Sequence, residues 1–181
     1  MPAELDIVSF LEKAKKIPVI DVRSPGEFEQ GHMPQAVNIP LFNNEERARI
    51  GTLYKQTGRQ AAIAEGLDIV GPKMKGFVSG AQKISVDNEV LVHCWRGGMR
   101  SANFTWLLNT YGLKANTLKK GYNAYRNHVL DFFSTPVQLL VLGGETGSGK
   151  TEILKHLANA GEQVVDLEKL ARELRGFLRE L

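Results

Sequence analysis

Short apolar runs alternate with helical patterns over the first two thirds of the chain, and this alternation constrains the fold more than any other sequence feature. The clearest run, Glu89–His93, is joined by a Gly-containing loop to an apolar helical stretch at 101–111. The runs at 19–22, 36–39 and 116–118 are equally short and apolar. Strands that alternate with helices predict an α/β fold, with a parallel sheet and helices on both of its faces.

Residues 44–65 carry a helical pattern with many charges, which predicts one helix. Its charges form a solvated face or, in the alternative interpretation, a patch that contacts RNA. They include Arg47, Arg49, Lys55 and Arg59. Ser24 and Pro25 predict another helix start, with Ser24 as the cap and Pro25 at the first helical position. Residues 66–80 are rich in Gly and Lys and predict no clear element.

A Ser-Thr-Pro segment at 134–136 predicts a linker, so we expect one domain at 1–133 and a second unit at 134–181. In the second unit the apolar runs 137–142 and 163–166 predict two buried strands. Two strands, each followed by a helical stretch, are too few for a complete α/β domain. We therefore expect a partial α/β unit there.

The end of the chain repeats apolar residues at helical spacing. They recur from Leu167 to Leu181, and oppositely charged residues four apart lie between them. This pattern predicts an amphipathic C-terminal helix.

Composition limits the classes of protein that remain. With 43% hydrophobic and 24% charged residues, the chain fits a soluble globular protein. It has no apolar run of about 18 residues and no secretory signal, so we expect a cytoplasmic protein without membrane contact. A net charge of +3 is compatible with RNA without requiring it. One cysteine and four scattered histidines predict neither a disulfide nor a metal site.

Cys94 opens a loop that contains two arginines and two glycines, which is the strongest functional signal in the chain. The preceding run carries Cys94 to the carboxyl end of a strand, where open α/β folds place their sites. Backbone N–H groups and a helix N-terminus would converge beside it and favour the thiolate over the thiol. We therefore predict that Cys94 is a nucleophile. The expected anion-binding residues are Trp95, Arg96, Gly97, Gly98, Met99 and Arg100.

Two other interpretations of Cys94 stay open. A lone cysteine is often a small buried hydrophobe, although that does not account for two arginines and two glycines nearby. The HCx5R pattern that starts at His93 is also that of cysteine phosphatases. A phosphatase needs a general acid, for which Asp21 and Glu27 are the candidates.

A second Gly-rich loop matches the GxxxxGK[ST] pattern of phosphate-binding loops, between a predicted strand and a predicted helix. Its backbone N–H groups would bind a phosphate, and Thr151 would ligate Mg²⁺ if a metal is used. The alternative is an ordinary Gly-rich turn, and Asp166 nearby is either a substrate-orienting carboxylate or a plain strand-end residue. The predicted phosphate-binding residues are Gly144, Glu145, Thr146, Gly147, Ser148, Gly149, Lys150 and Thr151.

The N-terminal part resembles the rhodanese family. Residues 21–28, DVRSPGEF, are similar to the DVRxxxEF signature, and residues 31–40, GHMPQAVNIP, are similar to GHIPGAxNIP. The resemblance implies a rhodanese-like parallel sheet, followed by the partial phosphate-loop unit. It also gives Asp21, Arg23 and Glu27 supporting roles at the site.

The length of the Cys94 loop departs from thiosulfate-type rhodaneses. From Cys94 to Arg100 it spans seven residues, where those enzymes usually have six. A longer loop makes a wider site, which suits a phosphate-sized anion better than a bare sulfur donor.

A rhodanese domain joined to a phosphate-binding loop resembles tRNA 2-selenouridine synthases, as do the segments 51–56, GTLYKQ, and 121–126, GYNAYR. The resemblance runs from about residue 5 to about residue 168 and implies a selenium transferase acting on the wobble 2-thiouridine of tRNA. Selenophosphate would donate selenium, and Cys94 would carry it as an S-selanyl intermediate.

The same resemblance implies an S-geranylated tRNA intermediate, with geranyl pyrophosphate held by the loop at 144–151. It implies tRNA and a selenophosphate-producing enzyme as partners, and no DNA. Family members continue for a large further domain, so we expect this chain to be C-terminally truncated. A simple sulfurtransferase, a phosphatase and a non-catalytic tRNA-binding module remain as alternatives.

Overall fold

A parallel sheet forms the centre of the N-terminal unit. The structure is a computed structural model that describes residues 3–136 and 138–171, and the chain divides into two compact units after Thr135. The strands lie in the order β1-β5-β4-β2-β3, and every pair of neighbours is parallel. In chain order they are β1 (Glu4–Leu5), β2 (Val19–Asp21), β3 (Val37–Asn38), β4 (Glu89–His93) and β5 (Lys114–Leu118).

Helices connect the strands, as parallel pairing requires. A 3₁₀ turn, Gly71–Lys73, joins two of them. The helices of the first unit are α1 (Ile7–Ala14), α2 (Pro25–Glu29), α3 (Asn44–Gln56), α4 (Arg59–Val70), α5 (Met74–Ile84), α6 (Met99–Tyr111) and α7 (Gly121–Phe133).

Successive residues of β4 point to opposite faces of the sheet and build two separate cores. Val90 and Val92 pack in one cluster with Phe77 of α5 and Phe104 of α6. Leu91 packs in the other, which includes residues of α1 and α7. This is the period of two expected of a strand buried on both faces. The predicted α/β class, with helices on both faces, is confirmed.

Local sequence signals set several helix starts. Ser24 caps α2 in a reciprocal capping box with Glu27, and Pro25 occupies the first turn as predicted. Asn43 and Glu46 form the same arrangement at the start of α3. Both caps lie beside the site described below, so they fix the backbone from which its side chains project.

The single helix predicted over 44–65 is wrong. The chain forms α3 and α4 instead, and Gly58 between them has a φ of +107°. That left-handed conformation ends α3 and turns the chain, which helical periodicity alone does not reveal. The Gly- and Lys-rich residues 66–80, which had no predicted structure, are largely helical.

The second unit contains helix α8 (Lys150–Asn159), but neither predicted strand. Residues 138–142 and 163–166 are irregular, and Leu140 and Val141 are 96% and 87% exposed. An apolar run forms a strand only where neighbouring strands satisfy its backbone groups, and residues 138–171 supply none. The prediction for residue 137 lies outside the described residues.

The final helix is described only at its start. Residues 167–171 are helical, and the Asp166 carboxylate accepts a hydrogen bond from the Lys169 N–H at 2.9 Å. Asp166 thus caps a helix instead of ending the predicted strand. The remainder of the predicted amphipathic helix, 172–181, lies outside the described residues. Among the described helices, none is long and apolar enough to cross a membrane.

Candidate active site

Strand β4 delivers Cys94 to the carboxyl edge of the sheet, and α6 begins five residues later at Met99. The Cys94 side chain is only 2% exposed and packs on one side against the core. On its other side it lines the floor of a cleft. Its Sγ lies 3.2 Å from the Ser101 hydroxyl, which is a suitable donor to a thiolate. A nucleophile this deep is accessible to a small donor rather than a bulky one.

The backbone amides that follow Cys94 are free. Within the described part of the chain, no N–H group from Trp95 to Ser101 donates a hydrogen bond. The last of these amides belong to the first turn of α6, where helix N–H groups lack intrahelical acceptors. Gly97 has a φ of +66°, which lets the chain turn sharply around the sulfur. Consecutive free amides at a helix start are a ready anion site.

The start of α7 locks this loop in place. The Tyr122 N–H donates to the Cys94 carbonyl at 2.8 Å, and the Asn123 N–H donates to the Trp95 carbonyl at 3.2 Å. Gly121 has a φ of +57°, and a Cβ there would overlap the Cys94 carbonyl oxygen. The close approach of two backbones therefore requires glycine at this position.

Beneath the loop lies a buried ion pair. The Arg23 guanidinium donates to both Asp21 oxygens at 2.6–3.0 Å and to the Gly31 carbonyl at 2.8 Å. It stacks on the Tyr122 ring at 3.9 Å and lies 5.3 Å from the Trp95 ring. Asp21 and Arg23 are fully buried, so they position the loop and cannot touch a substrate.

His93, which precedes the nucleophile, is buried and neutral. Its pKa is lowered to about 4, chiefly by burial; the Asp21 carboxylate, 3.7 Å away, opposes the shift, and the Arg23 charge adds to it. Because the His93 imidazole is neutral, the negative charge of Asp21 is balanced by Arg23 and not by His93.

Glu27 lies between two arginines at the edge of the cleft. Its carboxylate accepts from Arg100 at 2.7 Å and from Arg47 at 3.2 Å. Partial burial opposes ionisation, but the Arg100 hydrogen bond and charge prevail and the pKa of Glu27 is lowered. Glu27 is therefore ionised at neutral pH and unsuited to protonate a leaving group. Since Asp21 is buried, neither predicted general acid supports a phosphatase.

The cleft above Cys94 has a volume of about 950 Å³ and is lined by α2, α3 and the Cys94 loop. Its charged lining residues are one acid, Glu27, and four bases. The excess of positive charge favours an anionic occupant. The four bases are Arg47, Lys55, Arg96 and Arg100.

The structure thus brings most predicted site residues together. Trp95, Arg96, Gly98, Met99 and Arg100 line the cleft beside Cys94, whereas Gly97 faces the turn at Lys120 and Gly121 instead. Sequence reasoning assigned no role to Gly121 or Tyr122, and it placed Arg47 on a charged helix face rather than beside Cys94. A glycine three residues after a strand was the one available signal for Gly121, and nothing in the sequence indicates that Arg47 reaches Glu27.

The predicted phosphate-binding loop, residues 144–151, belongs to the second unit and has its own geometry. Gly144, Gly147 and Gly149 have φ values of +156°, +85° and +82°. The Lys150 ammonium group donates to the carbonyls of Gly144 and Glu145 at 2.8 and 2.7 Å, which closes the loop on itself. The loop leads into α8, and its last three amides, 149–151, have no acceptor within the described residues. Free amides at a helix start and a nearby ammonium group are suited to binding a phosphate group.

Metal binding by side chains has no support among the described residues, which hold no group of three or more His, Cys, Asp or Glu suited to an ion. The hydroxyl of Thr151, at the start of α8, is the ligand that a phosphate-bound Mg²⁺ would find.

Comparison with known proteins matches both units. A family model of the rhodanese-like domain matches residues 6–128. A model of the tRNA 2-selenouridine synthase AAA domain matches residues 137–176.

Curated relatives agree with these matches. A tRNA 2-selenouridine synthase of Bdellovibrio bacteriovorus is 40% identical over 163 residues, which are 87% of this chain and 42% of the relative. One of Nitrosomonas europaea is 41% identical over 161 residues, 86% of this chain and 41% of the relative. The chain spans about two fifths of the length of these relatives.

A solved structure shows the same fold. It is a crystal structure of an N-terminal domain from Clostridium difficile 630, 39% identical, with a TM-score of 0.64. The match covers 71% of this chain and 99% of that one. Together with the family match over most of the sequence, it shows that the chain belongs to the rhodanese-like domain family, in a form similar to tRNA 2-selenouridine synthases.

Proposed function

We propose that this chain takes part in making 2-selenouridine in tRNA, with Cys94 accepting selenium from selenophosphate. One observation carries the proposal: the amides from Trp95 to Ser101, which have no acceptor among the described residues, directly follow a cysteine that lines a positively charged cleft. This arrangement suits a donor that presents a phosphoryl group to the amides and selenium to the sulfur. The names of the curated relatives support the same assignment.

The proposed first step forms an S–Se bond. The Cys94 thiolate attacks selenium, the P–Se bond breaks, and its electron pair leaves with phosphorus, which departs as phosphite. Selenium is thereby oxidised by two electrons and phosphorus reduced by two. The free amides and the Arg96 guanidinium stabilise the departing oxyanion, as preorganised donors do in other enzymes. Cys94 then holds the selenium as an S-selanyl group.

In the proposed later steps selenium replaces sulfur on the wobble base. Geranylation of 2-thiouridine forms a C–S bond and releases pyrophosphate. The S-selanyl selenium then attacks carbon 2 as geranyl thiolate leaves, and a thiol reductant cleaves the remaining S–Se bond. Geranylation turns the sulfur into a better leaving group.

We assign the geranyl pyrophosphate to the loop at 144–151. Its left-handed glycines and free amides fit a pyrophosphate, and Lys150 would exchange its carbonyl partners for phosphate oxygens. Mg²⁺ bound at Thr151 would supply charge neutralisation of the pyrophosphate. The proposed partners are tRNA and a selenophosphate-producing enzyme, in the cytoplasm.

Intact-mass measurement of the protein tests the first step. The wild-type chain and Cys94→Ala are incubated with selenophosphate, and in parallel with a phosphate monoester. We expect one selenium on the wild-type chain, none on the variant, and no phosphate released from the monoester. Phosphate release without a selenium adduct would instead assign phosphatase chemistry to the site.

A further inference from the structure

The segment GTLYKQ at 51–56 carries an exposed aromatic side chain. It forms the C-terminal half of α3, a helix in which no residue is buried. Tyr54 is 58% exposed, although a tyrosine ring ordinarily gains from burial. Core packing therefore does not explain an aromatic residue at this position.

The same helix forms one side of the cleft over Cys94. Arg47, Gly51, Tyr54 and Lys55, which follow one another at helical spacing, all line it. Gly51 leaves this face open, since the nearest atom to a Cβ there would be an Arg47 nitrogen at 3.9 Å. The Tyr54 ring is thus presented to the cleft beside a gap in the helix surface.

Some basic side chains around the cleft are paired with acidic residues, and others are not. Arg47 is paired with Glu27, and Arg49 on the same helix is paired with Glu65. Lys55 and Arg96 have no acidic partner among the described residues. Two uncompensated cations therefore lie in the cleft with an exposed aromatic ring.

The volume of the cleft is also larger than a single bound selenophosphate ion would fill. Its volume of about 950 Å³ lies at the upper end of small-molecule sites, whereas selenophosphate is a single tetrahedral ion. The deep end, with Cys94 and the amides, accounts for the ion. The outer part, with Tyr54 and Lys55, is left for the acceptor of the selenium.

We propose that Tyr54 stacks on a nucleobase of the acceptor RNA, and that Lys55 pairs with a backbone phosphate of the same strand. An aromatic ring beside unpaired cations is the combination with which proteins hold splayed, single-stranded bases. The inference rests on the proposed function and assigns α3 as the element that presents the base to Cys94.

Binding of a labelled anticodon stem-loop RNA with 2-thiouridine at the wobble position tests this assignment by fluorescence anisotropy. Tyr54→Ala should weaken binding about tenfold, whereas Tyr54→Phe, which keeps the ring, should not. Tyr111→Ala is the matched control, because Tyr111 is 59% exposed and does not line the cleft. Lys55→Gln should lower the salt dependence of log Kd by about one.

Selenium loading of Cys94 in the wild-type chain, measured without RNA, separates this inference from the proposed function. If selenium loads and Tyr54→Ala binds RNA as tightly as wild type, the assignment of α3 is wrong. It is equally wrong if wild type does not bind the RNA, or if Tyr111→Ala loses as much affinity as Tyr54→Ala. If Tyr54→Ala loses RNA affinity, Tyr111→Ala does not, and Cys94 takes up no selenium, the RNA site is supported and the proposed selenium transfer to Cys94 is wrong.

Discussion

His93 is a neutral base held in the core next to the nucleophile, and its titration should be visible in stability. Burial lowers its pKa from 6.5 to about 4. Between these values the unfolded chain binds more protons than the folded one, so stability falls as pH drops from 6.5 towards 4. The shift corresponds to about 3 kcal/mol.

His93→Gln should remove this part of the pH dependence. Urea denaturation at pH 7 and pH 5, followed by tryptophan fluorescence, measures it in the N-terminal unit, since Trp95 and Trp106 both lie there. We expect a smaller loss of stability between the two pH values in the variant. An equal loss would show that His93 is not the titrating group.

Ser101 is expected to tune the reactivity of Cys94. Its hydroxyl lies 3.2 Å both from Sγ and from the Gly98 carbonyl, and a thiolate would compete with that carbonyl for the hydroxyl proton. Removing one such hydrogen bond costs about 1 kcal/mol, so Ser101→Ala should slow alkylation of Cys94 by iodoacetamide about fivefold. Ser85→Ala is the control and should react at the wild-type rate, because the Ser85 hydroxyl donates to the Gln82 carbonyl and not to Cys94.

Single residues were predictable from sequence where the signal was local. The Ser24–Pro25 helix start follows from backbone preferences, and the structure shows it. The link from Glu27 to Arg100 joins residues 73 positions apart, and no local pattern indicates it. The depth of Cys94 depends on how the sheet and α6 pack, so sequence could suggest a nucleophile but not its 2% exposure.

At the scale of elements, the contact between the Cys94 loop and the start of α7 is the feature most open to test. Gly121→Ala places a Cβ against the Cys94 carbonyl oxygen, so the loop must move. We expect a loss of stability beyond the roughly 1–3 kcal/mol of a left-handed backbone alone, together with loss of selenium loading.

Gly112→Ala is the matched control for that variant. Gly112 also has a left-handed conformation, with a φ of +110°, but a Cβ there meets no atom within 4 Å. Gly112→Ala should lower the free energy of unfolding only by the backbone strain, and selenium loading of Cys94 should not change. Equal effects of the two variants would mean that strain, rather than overlap with the loop, is responsible.

The strands of the sheet could be predicted because each is a short apolar run that other strands then bury. Glu89–His93 is the clearest case, with the predicted bounds. Glu4–Leu5 was not predicted, since two residues carry no periodicity and their pairing with Thr117 and Leu118 makes them a strand. The break at Gly58 was missed because a glycine within a helical pattern is compatible with both a bend and a continuous helix.

At the scale of the whole molecule, the N-terminal unit has its own core. Both hydrophobic clusters consist of residues before Thr135, so this unit should fold without the rest of the chain. We expect a chain of residues 1–135 to unfold at the same urea midpoint as the full chain. A clearly lower midpoint would show that the second unit stabilises the first.

The second unit shows where sequence patterns stop being sufficient. The loop at 144–151 was predicted from spacing alone, and its left-handed glycines agree with a phosphate-binding loop. The two predicted flanking strands are not formed, because residues 138–142 need neighbouring strands to accept and donate their backbone hydrogen bonds. A sequence pattern does not show whether such neighbours are present. Local chemistry is thus encoded in a short segment, whereas a sheet is a property of several segments together.

Protection of Cys94 by phosphate tests most directly whether an anion binds beside the sulfur. The rate of Cys94 alkylation by iodoacetamide is measured with increasing inorganic phosphate at constant ionic strength, with chloride as the balancing salt. Phosphate held by the free amides should cover Cys94, so the rate should fall to a plateau as phosphate saturates the site. An alkylation rate that does not change with phosphate would contradict an anion site at Cys94.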